Sequence, residues 1–356
     1  MKGCDRMKAK HVGRVIILGL WALCGFAQQS SPEGQGNREI TLDAVAVDKS
    51  GKPIAGLAEQ DFTVLDNKQP QKIASFHAVM RASATPDPPV EAILLVDEVN
   101  GSFRAVAQAR QQIQKFLGEG GGELARPVSL AYLSDAGLTM GEAASQDGKA
   151  LIAQLNQRKG TLRTINRSQG FYGAGDRVQL SLRALAEVAS DEAKKPGRKL
   201  LVWISPGWPL LTGPNIQLSS KDQQSIFNSV VALSNALRQA RITLYSVDPL
   251  GTADAGGFRT FYYKQFLKGV TAPSQVQIGN LALQVFAARS GGLVLNSSND
   301  VAGEIEQCVT DANAFYVLSF EKRGADGPNE YHALEVKVDR PGMSVRARSG
   351  YYSQPE

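Results

Sequence analysis

The stretch Ile93-Leu94-Leu95-Val96-Asp97-Glu98-Val99-Asn100-Gly101-Ser102 is a short aliphatic run that stops at an acid and a polar turn. An unbroken apolar run bounded by turn residues is how a parallel strand buried on both faces reads, and the helical periodicity of Phe103–Leu117 completes a strand–loop–helix unit. Asp97 is thereby placed at the carboxyl end of a central strand. Ligands bind at that edge in open α/β sheets, so Asp97, Asn100 and Ser102 are the first residues to weigh for function.

From Ala92 to about Asn296 strand and helix patterns alternate, which predicts a mostly parallel, doubly wound α/β sheet. The strands expected are Ile93–Val96, Val128–Leu133, Leu200–Ile204, Ile242–Val247 and Leu293–Leu295. The helices expected are Phe103–Leu117, Gly148–Asn156, Arg177–Ala193, Gln223–Arg241 and Ser274–Arg289, with a further one at Asp300–Asn313. Strand-type alternation marks Ile40–Val47, Phe62–Leu65 and Ile73–Phe76 before this region, and Phe315–Phe320, His332–Val338 and Ser344–Arg348 after it. Neither flank has enough strands to cover an apolar face alone. The expected architecture is therefore an α/β domain, residues 92–312, inserted in a small β-sandwich whose halves are residues 38–82 and 313–352. Residues 83–91, rich in Pro, form the linker, and residues 28–37 a flexible leader.

Residues 1–27 read as a secretory signal: Lys2, Arg6, Lys8, Lys10 and Arg14 precede the apolar Val15–Phe26, with small residues before Gln28. The apolar segment is too short to span a bilayer comfortably. An exported protein is expected, periplasmic or secreted, with no membrane insertion after cleavage. The formal charge of +5 owes its excess to this segment, which holds five basic residues and Asp5. Without it no clustered cation excess argues for nucleic acid. Cys4 and Cys24 leave with the signal, so Cys308 stays as a single thiol on an apolar helix face, where a buried structural role is expected.

Taken in order, Val45-Ala-Val-Asp48 through Gly56-Leu57, Asp61-Phe62-Thr-Val, Leu95-Val-Asp97 with Asn100, and Val178-Gln-Leu-Ser-Leu-Arg-Ala-Leu185 are joined by Val247-Asp248-Pro249, Tyr316-Val-Leu-Ser-Phe320 and Val345-Arg-Ala-Arg-Ser-Gly-Tyr-Tyr352. In this order and spacing, covering nearly all of the chain after the signal, the sequence resembles the von Willebrand factor A-related proteins described from acidobacteria. The resemblance implies a von Willebrand A core with β-strand flanks in an exported protein, and no settled activity. Typical von Willebrand A domains hold Mg²⁺ with an Asp-x-Ser-x-Ser loop, a Thr from a second loop and an Asp from a third. Hard divalent cations favour such oxygen ligands.

Here Val99 and Gly101 stand at the Ser spacings, and Ser205-Pro206-Gly207 lacks the third-loop acid. Asn100, Ser102, Asp176 and Ser205 are the nearest oxygen donors to accompany Asp97, and Mg²⁺, held weakly, is the ion such a degenerate site implies. The competing reading is that Asp176, Asn100 and Ser102 only cap helices. Contact candidates at the same edge are Trp208, Asp248, Phe258 and Tyr262; Trp203, inside a strand, reads as core. No nucleophile elbow, zinc helix, Walker loop or dinucleotide fingerprint is present. The function expected is non-enzymatic binding of another protein or an extracellular ligand through the carboxyl edge. The alternatives are a cell-envelope hydrolase using Asp97 and Asp248 as paired acids, and a structural piece of an envelope assembly.

Overall fold

The aliphatic run Ile93–Val96 forms the middle of the central strand of the larger sheet because its residues are all apolar and both faces are covered. In a computed structural model, which describes residues 39–80, 89–158, 170–209, 217–254, 262–322 and 324–355, this strand is β5 (Val90–Asp97). The segments expected as signal and leader, most of the expected linker, and Phe258 lie outside the described residues. β5 runs parallel to β9 (Arg198–Ile204) on one side and β6 (Glu123–Ser134) on the other, with Val96 opposite Ile204 and Asp97 opposite Leu133. β10 (Ile242–Val247) and β11 (Val294–Leu295) extend the sheet beyond β9. β7 (Gly137–Met140) and β8 (Ser145–Asp147) add antiparallel pairing to β6. The sheet is mostly parallel.

Side chains alternate across it. Ile93 and Leu95 join one buried cluster with residues of α3 (Gly170–Glu192) and α4 (Ser220–Gln239). Ala92, Leu94 and Val96 join another with α1 (Phe103–Gly118) and the Val301–Thr310 helix. Ala105, Ala109, Ile113, Phe116 and Leu117 are the buried stripe of α1, spaced as one helix face requires. α2 (Gly148–Gln157) starts at Asp147, which accepts from Lys149 N and Ala150 N.

Two expectations change. α3 begins at Gly170, seven residues ahead of Arg177. The segment expected as one helix over Ser274–Arg289 is instead two 3₁₀ turns, Pro273–Gln275 and Ile278–Leu281, followed by α5 (Leu283–Arg289). Asn280 Oδ1 accepts from Gln277 N, and the ring of Phe266 occupies the space where a side chain at Gly279 would sit. That close approach replaces helical continuity. The helix at Val301–Thr310 is α6, and it buries Cys308 as expected.

The flanks interleave in two antiparallel sheets. β1 (Glu39–Val47) pairs with β12 (Ala314–Glu321) and β14 (Ser344–Arg346), and β12 pairs with β4 (Ser75–Met80). β2 (Phe62–Asp66) pairs with β3 (Gln69–Gln71) and β13 (Glu330–Val338), which pairs with β15 (Gly350–Ser353). Ile40, Leu42, Tyr316 and Phe320 from the first sheet meet Phe62, Val64, Leu334 and Tyr351 from the second in one core. Consecutive residues of β15 then serve different layers: Tyr351 packs in that core, while Tyr352 belongs to the α3/α4 side of the α/β core and its hydroxyl donates to Val270 O at 3.0 Å. The α/β body and the sandwich are thus packed as one unit.

Candidate functional site

The Asp97 carboxylate at the carboxyl edge is held by four donors. Its Oδ1 accepts from the backbone N–H groups of Val99 (3.0 Å) and Asn100 (2.8 Å), which is what turns the chain sharply after β5. Its Oδ2 accepts from Asn100 Nδ2 (2.8 Å) and from the indole Nε1 of Trp203 (3.0 Å). A carboxylate offers about four acceptor directions, and here four donors take them. Asn100 also donates to Ser181 Oγ at 2.8 Å, which ties the loop to α3. Asp97, Asn100 and Ser181 are all buried.

The other expected donors are spent in the same manner or stand elsewhere. Ser102 Oγ accepts from Ala105 N at 3.1 Å, the N-cap of α1. Ser205 Oγ accepts from Gly207 N at 3.1 Å, and Gly207 has φ +97°, a conformation that explains Gly after Pro206. Asp176 does not cap α3: it is exposed, within the helix, five residues before Ser181. A Mg²⁺ site needs several free oxygen ligands on one centre. The donor set around Asp97 does not fit that need, because its lone pairs already hold the loop, the cap and the indole. Among the described residues no three His, Cys, Asp or Glu side chains cluster with metal-binding geometry.

Of the contact candidates, Trp208 is corrected to a core residue. It is 2% exposed and meets Trp203 edge-on, with ring centroids 5.3 Å apart. The turn at Gly207 folds it back onto the sheet, a reversal that the loop composition alone does not reveal. Tyr262 is also buried and packs on Phe266 at 4.9 Å. Asp248 directly follows β10, and its Oδ1 accepts from Leu250 N at 2.9 Å. Level with Asp97 but separated from it by β9, it lies about 10 Å away at the usual strand spacing. The two acids do not converge as a pair.

Asp248 instead neighbours Glu304, in the first turn of α6. Burial, opposed by the amides of Ser298 and Ser297 and reinforced by Asp248 and Asp300, pushes the Glu304 carboxyl up to about 7. Its Oε2 is buried without a hydrogen-bond partner. On the other side of β5, Glu98 pairs with Arg158 at 3.6 Å, and the Arg158 guanidinium lies 4.1 Å over the ring of Tyr132. Burial raises the Tyr132 hydroxyl above its ordinary value.

The sequence reading missed the side chains most open to a partner. Phe103 is 75% exposed and Tyr172 is 70% exposed, and these are the large hydrophobic side chains exposed among the described residues. Phe103 opens α1 directly after its cap. Tyr172 lies on the first turns of α3, which rise about 16 Å beyond Ser181 at the normal helical rise. Phe103 stands out of step with the Ala105, Ala109, Ile113 stripe of α1, and that was the available signal. Among the described residues no helix is long and apolar enough to cross a membrane.

No protein-family profile and no curated protein matches the chain. Solved structures to which it is similar include the pilus adhesin SpaC of Lactobacillus rhamnosus GG, at 9% identity and TM-score 0.36, covering 85% of this chain and 49% of that one. The von Willebrand A domain of SpRpn10 is similar at 12% identity and TM-score 0.22, covering 45% and 88%. The N-terminal domain of TFIIH p34 is similar at 13% identity and TM-score 0.28, covering 62% and 96%. The chain spans about half the length of the adhesin.

Proposed function

We propose that this chain is an exported, non-enzymatic binding protein with a von Willebrand A-like body, and that it engages another protein through the carboxyl edge of the sheet without a metal ion. The observation that carries this reading is the exposure of Phe103 and Tyr172 on the two helices, α1 and α3, that rise from that edge. Covering the exposed part of either ring on binding would remove apolar surface from water, at roughly 25 cal/mol per Å². Aromatic side chains of this kind are the common energetic centres of protein interfaces. The network around Asp97 supports the reading by making the edge rigid, so that little order need be gained on binding.

The test is site-specific photo-crosslinking in intact cells, with benzoylphenylalanine at position 103 or 172 and at Lys337, which is exposed on the sandwich. Discrete adducts from 103 and 172, unaffected by a chelator and absent from 337, are expected. Equal adducts from all three positions, or none from the edge, would overturn the proposal.

A further inference from the structure

At the opposite, amino-terminal edge of the sheet, where the sandwich meets the α/β body, arginines gather without acids to match them. Arg238 stands in the last turn of α4 and Arg289 ends α5. Arg348, between β14 and β15, donates from Nη1 to Ser234 O at 3.4 Å and from Nη2 to Ile242 O at 3.2 Å. Its guanidinium therefore lies across the end of α4, beside the turn over which the Arg238 side chain leans. The next residue, Ser349, donates its N–H to Arg289 O at 3.1 Å and accepts from Tyr331 OH at 3.0 Å, while the Arg289 guanidinium lies 5.2 Å from the centre of the Tyr331 ring. All three arginines thus meet the segment of residues 348–349.

Burial and the charges of Arg238 and Arg289 hold the Arg348 guanidinium down at about 9. Asp43, the acid that acts in the other direction, is already engaged by Arg241 through Nε at 3.3 Å. Among the described residues, none of Arg238, Arg289 and Arg348 forms an ion pair. Arg238, Arg241, Arg289 and Arg348 therefore share the single carboxylate of Asp43. The C-termini of α4 and α5 supply roughly half a negative charge each, which leaves an excess of roughly two positive charges. Charges taken out of water are ordinarily paired.

Two further atoms show what chemistry is missing. Arg238 Nε, a donor, and Asn235 Oδ1, an acceptor, are each buried without a hydrogen-bond partner. They stand three residues apart on α4, as neighbours on its surface. Arg238 and Arg348 are only half-buried, so a small solute can reach them. Guanidinium groups bind phosphate oxygens through paired N–H bonds, and a phosphate that keeps one proton also offers a hydroxyl to an acceptor. We infer that Arg238, Arg289 and Arg348 hold one inorganic monohydrogen phosphate, with Asn235 Oδ1 accepting from its hydroxyl. The ion would join the sandwich to the α/β body, at a site separate from the edge of Phe103 and Tyr172.

The test follows the thermal midpoint of the full chain at pH 8 in 20 mM sodium phosphate, against sodium chloride, sulfate and methyl phosphate at equal ionic strength. A rise of about 4 °C or more over chloride is expected in phosphate, and no more than half that rise in sulfate or methyl phosphate, whose dianions lack the hydroxyl. Arg238→Gln gives up no hydrogen bond or ion pair to the described residues, so it should melt within about 1 °C of the parent in chloride and lose most of the phosphate rise. Phosphorus NMR at 25 °C, where both proteins are folded, checks the same point without melting: the phosphate line should broaden with the parent and stay sharp with the variant. An equal rise in chloride, sulfate or methyl phosphate, a full rise in Arg238→Gln, or an unbroadened line with the parent would overturn the inference.

Discussion

Trp203 on β9 donates its indole N–H to Asp97 on β5 at 3.0 Å, a buried bond between neighbouring strands that fixes the acid to the sheet instead of offering it to a ligand. With Val99 N, Asn100 N and Asn100 Nδ2 as the other donors, any change that turns one acceptor oxygen into a donor must break part of this set. Asp97→Asn keeps the shape and places an NH₂ against two donors. Loss of about 1.5–3 kcal/mol in urea unfolding is expected. A loss below about 0.5 kcal/mol would mean that the network does not hold the loop.

The same saturation predicts indifference to divalent ions. A ligand at one hundred times its dissociation constant adds about 2.7 kcal/mol to a folded state. Mg²⁺ or Mn²⁺ at 10 mM should therefore shift the thermal midpoint by no more than a monovalent salt of equal ionic strength does. Ser102→Ala should cost about 1 kcal/mol whether or not the ion is present, because Ser102 Oγ caps Ala105 N. A midpoint rise with Mg²⁺ that disappears in Asp97→Ala would restore a metal role to this loop.

A third prediction concerns the union of sandwich and α/β body. Asp311, fully buried after α6, accepts from both terminal nitrogens of Arg346 on β14, with one bond at 2.6 Å, and from the hydroxyl of Tyr245 on β10 at 2.6 Å. Arg198 reaches the Asp311 carbonyl at 3.0 Å while its guanidinium covers the ring of Phe315. Removing one partner of such a pair leaves a buried charge uncompensated, at about 3–5 kcal/mol. Asp311→Ala should lose that much, with tryptophan fluorescence from the α/β core and far-ultraviolet dichroism reporting the same midpoint. Separate midpoints would show that the sandwich and the α/β body unfold independently.

What the sequence shows and what it conceals follow from where packing begins. β5, β9 and β10 are legible because both faces of each strand are buried, so that their runs are almost wholly apolar. α3 is legible only from about Val178, since Val178, Leu182, Leu185 and Ala189 touch the sheet and the residues from Tyr172 to Arg177 carry no periodic apolar stripe. β15 escapes notice because Tyr351 and Tyr352 are both buried, each against a different layer, and the alternation that betrays a half-exposed strand is lost. In the candidate site, the position of Asp97 follows from the pattern, whereas its full donor set does not: Val99 and Asn100 are neighbours in sequence, but Trp203 is far away in the chain. Several strings that carry the family resemblance prove to be ties within the scaffold. Tyr316 OH donates to Ile54 O at 2.9 Å and accepts from Leu57 N, Arg340 pairs with Asp61 at 2.9 Å, and Asp48 holds its own turn through Ser50 N and Lys52 N.

The last prediction rests on Glu304, whose carboxyl is raised to about 7 chiefly by burial. A carboxyl whose folded value lies above the unfolded one, 4.5, binds its proton more tightly in the folded state. Its contribution to stability is complete below pH 4.5 and is lost as the pH rises through about 7. Asp48, Asp61 and Asp300 are shifted the other way, mainly by hydrogen bonds from Ser50, Arg340 and Lys115 respectively, so their contributions fade only in more acidic solution and leave this window clear. Glutamine at 304 reproduces the neutral acid without the titration. Glu304→Gln should match the parent at pH 5 and exceed it at pH 8 by up to about 3 kcal/mol, the scale of the shift, read from urea midpoints at the two pH values. If the two proteins stay level across that range, or if the variant is the weaker at pH 8, the carboxyl is charged and accommodated in the folded state, and burial does not govern it.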